Sequence, residues 1–172
     1  GVHAMRELKA VCEAEGLSLL LIDFNNAFNE CNRNLMIGLA AAHMPEVARL
    51  AFWLYGNKSK LETGRAEDDI KSSAGTQQGC GMANILFGLL MLWLNKHLGK
   101  LNLKARIFFW DDCALVGSLE DLRLALDEIK RLSKAETNRT DLEMKFEKTH
   151  LHTPNEREAG RAATIFPELK RG

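Results

Sequence analysis

The sequence predicts an α+β domain with a mainly antiparallel sheet and helices packed on one face. Segments with apolar residues at helical spacing alternate with short apolar strands, and two strand-like runs flank Asp111-Asp112 as a hairpin would. The chain has 172 residues, 46% of them apolar, which is enough to bury a core without disulfide or metal staples. The predicted order is α-β-α-α-(β-β)-α-β-β-α-β.

Met5, Leu8, Val11 and Cys12 fall at helical spacing and Gly16 follows as a stop, so the first element is an amphipathic helix. "LSLLLIDF" is a strand whose near-continuous apolar run implies burial on both faces, with Asp23 at its downstream end. Arg33 to Ala42 and Glu46 to Tyr55 read as two helices, with Pro45 suited to the start of the second. In the polar stretch that follows, Lys60 to Glu62 and Ile70 to Ser73 read as a hairpin. "AGTQQGCG" leads into a buried helix over Met82 to Leu94, which is too short for a membrane span. Lys104 to Trp110 and Cys113 to Val116 form a strand pair closed by Asp111-Asp112. Ser118 with Asp121 resembles a capping box, and Leu119, Leu122, Leu126, Ile129 and Leu132 line one face of the helix it opens. "LEMKFEKTH" is a short strand and turn, and residues 153–172 read as a polar tail or linker. No internal repeat is apparent.

Lys+Arg and Asp+Glu each number 23, so net charge gives no sign of a nucleic-acid partner, although a local basic groove is compatible with that balance. Cys12, Cys31, Cys80 and Cys113 are far apart with no CxxC pair, which argues against a zinc site and fits reduced thiols in an intracellular compartment, cytoplasm and nucleus not being distinguished. The opening "GVHAMREL" lacks an initiator Met, a basic n-region and a cleavage site, so it reads as a segment of something longer without a signal peptide. Sequons at Asn57 and Asn138 matter only in a secreted protein. His150 and His152 share a strand face, but no third ligand is evident for a metal.

A strand end and a hairpin turn in one sheet bring Asp23 beside Asp111 and Asp112. Crowded carboxylates repel unless a cation neutralises them, so the cluster predicts hard divalent metal binding, with Mg²⁺ the expected ion and Mn²⁺ a substitute. Two such ions roughly 3.5–4 Å apart stabilise both the attacking and the leaving oxygen of an in-line phosphoryl displacement, as nucleotidyl transfer requires. An Asp-Asp pair is equally an ordinary turn, since Asp closes turns through its own side chain.

"LLLIDFNNAFNECNR", "SAGTQQGCGMANILFGLL" and "FFWDDCALVG", in that order, resemble the motifs of the reverse transcriptase palm, particularly those of non-LTR retrotransposon and group II intron-like enzymes. "LEMKFEKT" is similar to the weaker fourth motif, with Lys148 as its basic residue. The resemblance covers roughly residues 1–150. It implies a polymerase palm over residues 1–152, with a remnant of the fingers as the leading helix, and a tail toward a thumb that is absent. The implied activity is RNA- or DNA-templated DNA synthesis on a DNA primer from deoxynucleoside triphosphates, with two Mg²⁺ ions and no membrane. Asp23 and Asp111 would ligate both metals, Asp112 would do so less directly, and the Phe24 carbonyl would complete one sphere. Phe28 would lie beneath the sugar and exclude a 2′-hydroxyl. Gln78 and Gly79 would contact the incoming nucleotide, and Lys148 would give a proton to the departing pyrophosphate.

The chain departs from that pattern at three places. Trp110 stands where the family has a small or unbranched residue near the nucleotide sugar, "QQGCGMAN" replaces the common "PQGDPLSP", and Asn25 and Asn26 replace a frequent basic residue. These departures motivate an alternative from another class, a decayed or domesticated palm serving as a nucleic-acid-binding or scaffold module. A nucleotidyl cyclase shares a palm-like sheet with metal-binding aspartates, but the Gln-Gly turn and Phe28 give it no support.

Overall fold

The structure is a computed structural model and describes residues 2–60, 71–77 and 79–169. Among them the elements are α1 (Val2–Glu15), β1 (Ser18–Asn25), α2 (Ala27–Glu30), α3 (Arg33–His43), α4 (Pro45–Tyr55), β2 (Ser59–Lys60), β3 (Lys71–Ser72), α5 (Gly81–Leu98), β4 (Ala105–Phe109), β5 (Asp112–Gly117), α6 (Leu119–Ser133), β6 (Glu143–Met144), β7 (His150–His152) and α7 (Glu156–Ile165). The expected mixed α+β architecture with an antiparallel sheet is present. No helix among the described residues is long and apolar enough to cross a membrane. The chain divides into two compact units: Gly1–Asn25 with Leu94–Arg131 and Glu143–Gly172, and Asn26–Trp93 with Leu132–Leu142.

The first unit is built on β1, which pairs antiparallel with β5 along one edge and with β6 and β7 along the other, while β4 lies outside β5. Leu19 and Leu21 alternate with Leu20 and Ile22 across the two faces. On the first face Cys12 of α1 packs with Leu19, Ala114 and Val116, and Leu8 and Leu21 border the cluster. Burial of each large side chain contributes roughly 1.5–3 kcal/mol. Val11, expected on the same helix face, is exposed, and the side chain of Met5 lies outside the described residues. α1 stops where Gly16 takes φ +66° and the Leu17 N–H returns to the Cys12 carbonyl at 2.8 Å, a Schellman closure. On the opposite face Leu20, Ile22, Cys113 and Leu115 are equally buried. The apolar run of β1 is thus covered on both faces, as expected, with Leu21 only partly buried.

The capping box opens α6 as expected: the Ser118 hydroxyl accepts from the Asp121 N–H at 3.1 Å and donates to its carboxylate at 2.6 Å. All five leucine and isoleucine positions of its stripe are buried. The polar tail departs from the linker expectation, because residues 156–165 fold into α7. Asn155 caps this helix by accepting from the Glu158 N–H at 3.0 Å, and Ala162 and Phe166 are buried. Beyond it, the Glu168 carboxylate accepts from Arg123 at 2.6 Å and from Lys130 at 2.7 Å. The segment is polar in composition, yet it is fixed by one apolar anchor and one paired charge.

In the second unit Asn32 caps α3 by accepting from the Leu35 N–H at 3.0 Å, and Pro45 begins α4 where its missing N–H does no harm. The expected hairpin is present in its described part: Ser59 pairs with Ser72 and Lys60 with Lys71. Its connection, residues 61–70, lies outside the described residues.

Burial opposes ionisation of Glu168, but the hydrogen bonds from Lys130, its own backbone and Arg123 prevail and hold its carboxyl at about 2. A carboxyl whose folded value lies below its unfolded one stabilises the fold above the unfolded value and loses that contribution as pH falls through the folded value. Glu168→Gln is therefore expected to destabilise the chain by about 1–2 kcal/mol at pH 7. The difference from the unaltered chain should shrink between pH 4.5 and pH 2 in thermal unfolding curves.

Candidate functional site

The site begins with a register. β1 and β5 pair so that Asp23 lies directly opposite Asp112, and cross-strand partners project to the same face. β4 and β5 pair Phe109 with Asp112, which makes Trp110 and Asp111 the two central residues of the hairpin turn. The expected turn of Asp111-Asp112 is thus displaced by one residue: Asp112 is the first residue of β5. Trp110 has φ +55°, at the turn position where two-residue hairpins commonly place glycine.

Burial raises the Asp112 pKa, Asp111 and then Asp23 raise it further by repulsion, and Lys148 opposes them. Asp112 thus senses both of the other carboxylates. Lys148 reaches the site through a local device: the Asp23 carbonyl accepts from the Lys145 N–H at 2.9 Å. The buried Thr149 then closes the 145–149 turn by donating its N–H and its hydroxyl to the Lys145 carbonyl, each at 2.9 Å. The Lys148 ammonium stands 3.9 Å from the Asp23 carboxylate. Leu21, Asp23, Ile107, Phe109, Asp112 and Lys148 line one cavity of about 550 Å³ in this unit. Phe109 is 69% exposed and Trp110 43%. The Phe24 side chain is buried, and Phe24 pairs with Met144.

Among the described residues no group of three or more His, Cys, Asp or Glu gathers at metal-binding spacing. The oxygen donors of Asp23 and Asp112 nevertheless suit a hard divalent cation, and Mg²⁺ commonly takes one or two protein carboxylates and completes its sphere with water and substrate phosphates. The Asp112 carboxyl is raised first by burial and then by repulsion from Asp111 and Asp23, which a cation would relieve. These residues fit such an ion.

The second unit holds the other expected positions. Phe28 stacks on Phe87 with ring centroids 4.2 Å apart. Its carbonyl accepts from the Thr76 N–H at 2.5 Å and from the Thr76 hydroxyl at 3.2 Å, which joins α2 to the glycine segment. Gly75 has φ +62°, and a Cβ there would overlap the backbone of Asn29. The Cys80 N–H donates to the Gln77 carbonyl at 3.2 Å, and Gly79 has φ +86°. Gln78 lies outside the described residues.

Sequence reasoning held Gly75 and Arg33 only as parts of motifs and Tyr55 only as the end of a helix. Arg33 is buried and donates to the Gly75 carbonyl at 2.5 Å, to the Ser72 carbonyl at 2.9 Å and to the Ser72 hydroxyl at 2.7 Å. The signal for Gly75 was its place in the glycine-bearing "AGTQQGCG" that leads into α5. None existed for Arg33, whose partners lie about forty residues away.

No family model matches the chain, and no curated protein matches it.

Two comparisons test this geometry. Gly75→Ala meets both an unfavourable φ and a backbone overlap, whereas Gly79→Ala meets only the φ, with open space around it. In chemical denaturation Gly75→Ala is expected to lose about 3 kcal/mol or more and Gly79→Ala about 1–2 kcal/mol. Asp112→Asn removes like-charge repulsion. A raised carboxyl weakens the folded state as pH rises past the ordinary 3.8, so the variant is expected to melt higher than the unaltered chain at pH 7 in metal-free buffer, with the gap closing toward pH 3.

Proposed function

We propose that the chain is the palm of an RNA-directed DNA polymerase of the reverse transcriptase type, performing template-directed nucleotidyl transfer. The observation that carries the proposal is the pairing of Asp23 with Asp112 across β1 and β5, beside Asp111 and Lys148. It supports the reading because acidic side chains opposed on one sheet face are costly without a cation and useful with one. The sequence resemblance supplies the polymer: the same aspartates stand in motifs similar to those of enzymes that extend DNA primers with deoxynucleoside triphosphates.

On this reading Asp23, Asp111 and Asp112 would hold Mg²⁺, Asp23 and Asp112 from facing positions on β1 and β5 and Asp111 from the turn. Bound Mg²⁺ supplies charge stabilisation to the attacking and leaving oxygens. Lys148, paired with Asp23, is the proton donor to departing pyrophosphate. Leu21 and Ile107 give the cavity apolar walls beside the carboxylates.

Primer extension on an RNA template with Mg²⁺ tests the proposal. Asp23→Asn and Asp112→Asn are each expected to slow extension by about a hundredfold or more. Asp127→Asn, whose carboxylate pairs with Arg123 on α6, should leave it unchanged. Extension that survives both site substitutions would refute the assignment. Absence of extension with nucleic-acid binding intact would favour the scaffold alternative.

A further inference from the structure

The sheet face that carries the acidic pair continues in rows set by the register. Asp23 and Asp112 share one row with Phe109. Two residues along the strands, the next row holds Ile107, Ala114, Leu21 and His150, because Leu21 pairs with Ala114 on one side and with His150 on the other. His150 is therefore a diagonal neighbour of Asp23 on the same face, at the roughly 7–8 Å that long and aromatic side chains still bridge. Both rows open on the cavity of about 550 Å³, and of the described residues lining it only Lys148 and His150 can carry positive charge. Thr149, between them, is fully buried and tied to the Lys145 carbonyl, so the segment is anchored at its middle residue while both neighbours stay exposed. The next histidine on this face is already engaged: the His152 Nε2 stands 3.8 Å from the Glu13 carboxylate of α1. Among the described residues His150 makes no hydrogen bond or ion pair.

Charge decides what these two groups would meet. The carboxylates offset much of the charge of bound Mg²⁺, and the triphosphate tail of a nucleotide brings more negative charge than the remainder and a single lysine balance. An imidazole offers an N–H donor in either tautomer, and hydrogen bonds to ionised phosphate oxygens are the stronger kind. We propose that His150 binds the triphosphate tail of the incoming deoxynucleotide, donating beside the Lys148 ammonium to the two phosphates that leave as pyrophosphate. The proposal rests on the polymerase reading and adds a phosphate contact to the same site.

Calorimetric titration of inorganic pyrophosphate with Mg²⁺ into the protein and its His150→Ala variant tests it, with steady-state incorporation of a single deoxynucleotide as a second arm. One net hydrogen bond corresponds to about a three- to tenfold change. His150→Ala is expected to weaken pyrophosphate binding and to raise the KM for the deoxynucleotide by that factor, with the KM for primer–template unchanged. The side chain is exposed, so its removal leaves the core packing intact. The His150 imidazole resonances should shift when pyrophosphate is added, which a merely structural residue would not show. His152→Ala, two residues on along the same face of β7, should leave both constants unchanged. Equal pyrophosphate affinity with and without the His150 imidazole overturns the proposal. An equal loss in His152→Ala does so too, by showing a general effect on β7, and a change in primer–template KM alone does so by assigning His150 to a backbone phosphate. With primer extension by the unaltered protein intact, each of these results, or a lack of pyrophosphate binding, overturns the proposal alone. An unaltered protein that neither binds pyrophosphate with Mg²⁺ nor extends a primer overturns the polymerase reading and the proposal with it.

Discussion

One register decides the chemistry of the first unit: Asp23 opposite Asp112. A slip of one residue would send every side chain of β1 to the other face and take Asp23 away from Asp112. Burial on both faces of β1 prevents that slip, because Leu19, Leu20 and Ile22 each have a buried place to fill. The hydrophobic strand thus enforces a repulsive acidic pair that would not persist on an exposed ribbon. Strand pairs with like charges opposed are weakened, and here apolar packing supplies the compensation.

The same division holds in the second unit, where an irregular glycine segment is fixed by groups remote in sequence. Gly75 allows the segment to approach Asn29 closely, Thr76 bonds the carbonyl of Phe28, and Arg33 satisfies carbonyls that a helix or sheet would otherwise satisfy. Buried backbone acceptors require partners, and a single guanidinium with a rigid fork of donors serves several at once. The irregular path is therefore specified, although it contains no repeating hydrogen-bond pattern.

Most of the fold was legible where local rules act alone. The uninterrupted apolar run of "LSLLLIDF" announced a strand covered on both sides, Ser118 and Asp121 announced a helix start, and the leucine spacing of α6 marked its buried face. Legibility failed where distant groups decide. The tail reads as polar, and its helix is anchored by Phe166 and by the pairing of Glu168 with Arg123 and Lys130, which no local pattern encodes. The hairpin was placed one residue late because Asp is the commoner turn residue, yet the register puts Trp110 at the strained position and draws Asp112 into the strand. That single residue changes which of the adjacent aspartates faces Asp23.

The central claim is that Asp23 and Asp112 share one divalent cation, and paramagnetic broadening by Mn²⁺ measures it most directly. Trace Mn²⁺ titrated into the ¹⁵N-labelled chain with a deoxynucleoside triphosphate should selectively broaden the backbone amides of Asp23, Asp112 and Lys148, and Mg²⁺ should reverse the effect. The amides of α7 should stay sharp. Asp23→Asn should abolish the selectivity. Broadening spread evenly over surface carboxylates, or centred on residues away from β1 and β5, would contradict the account.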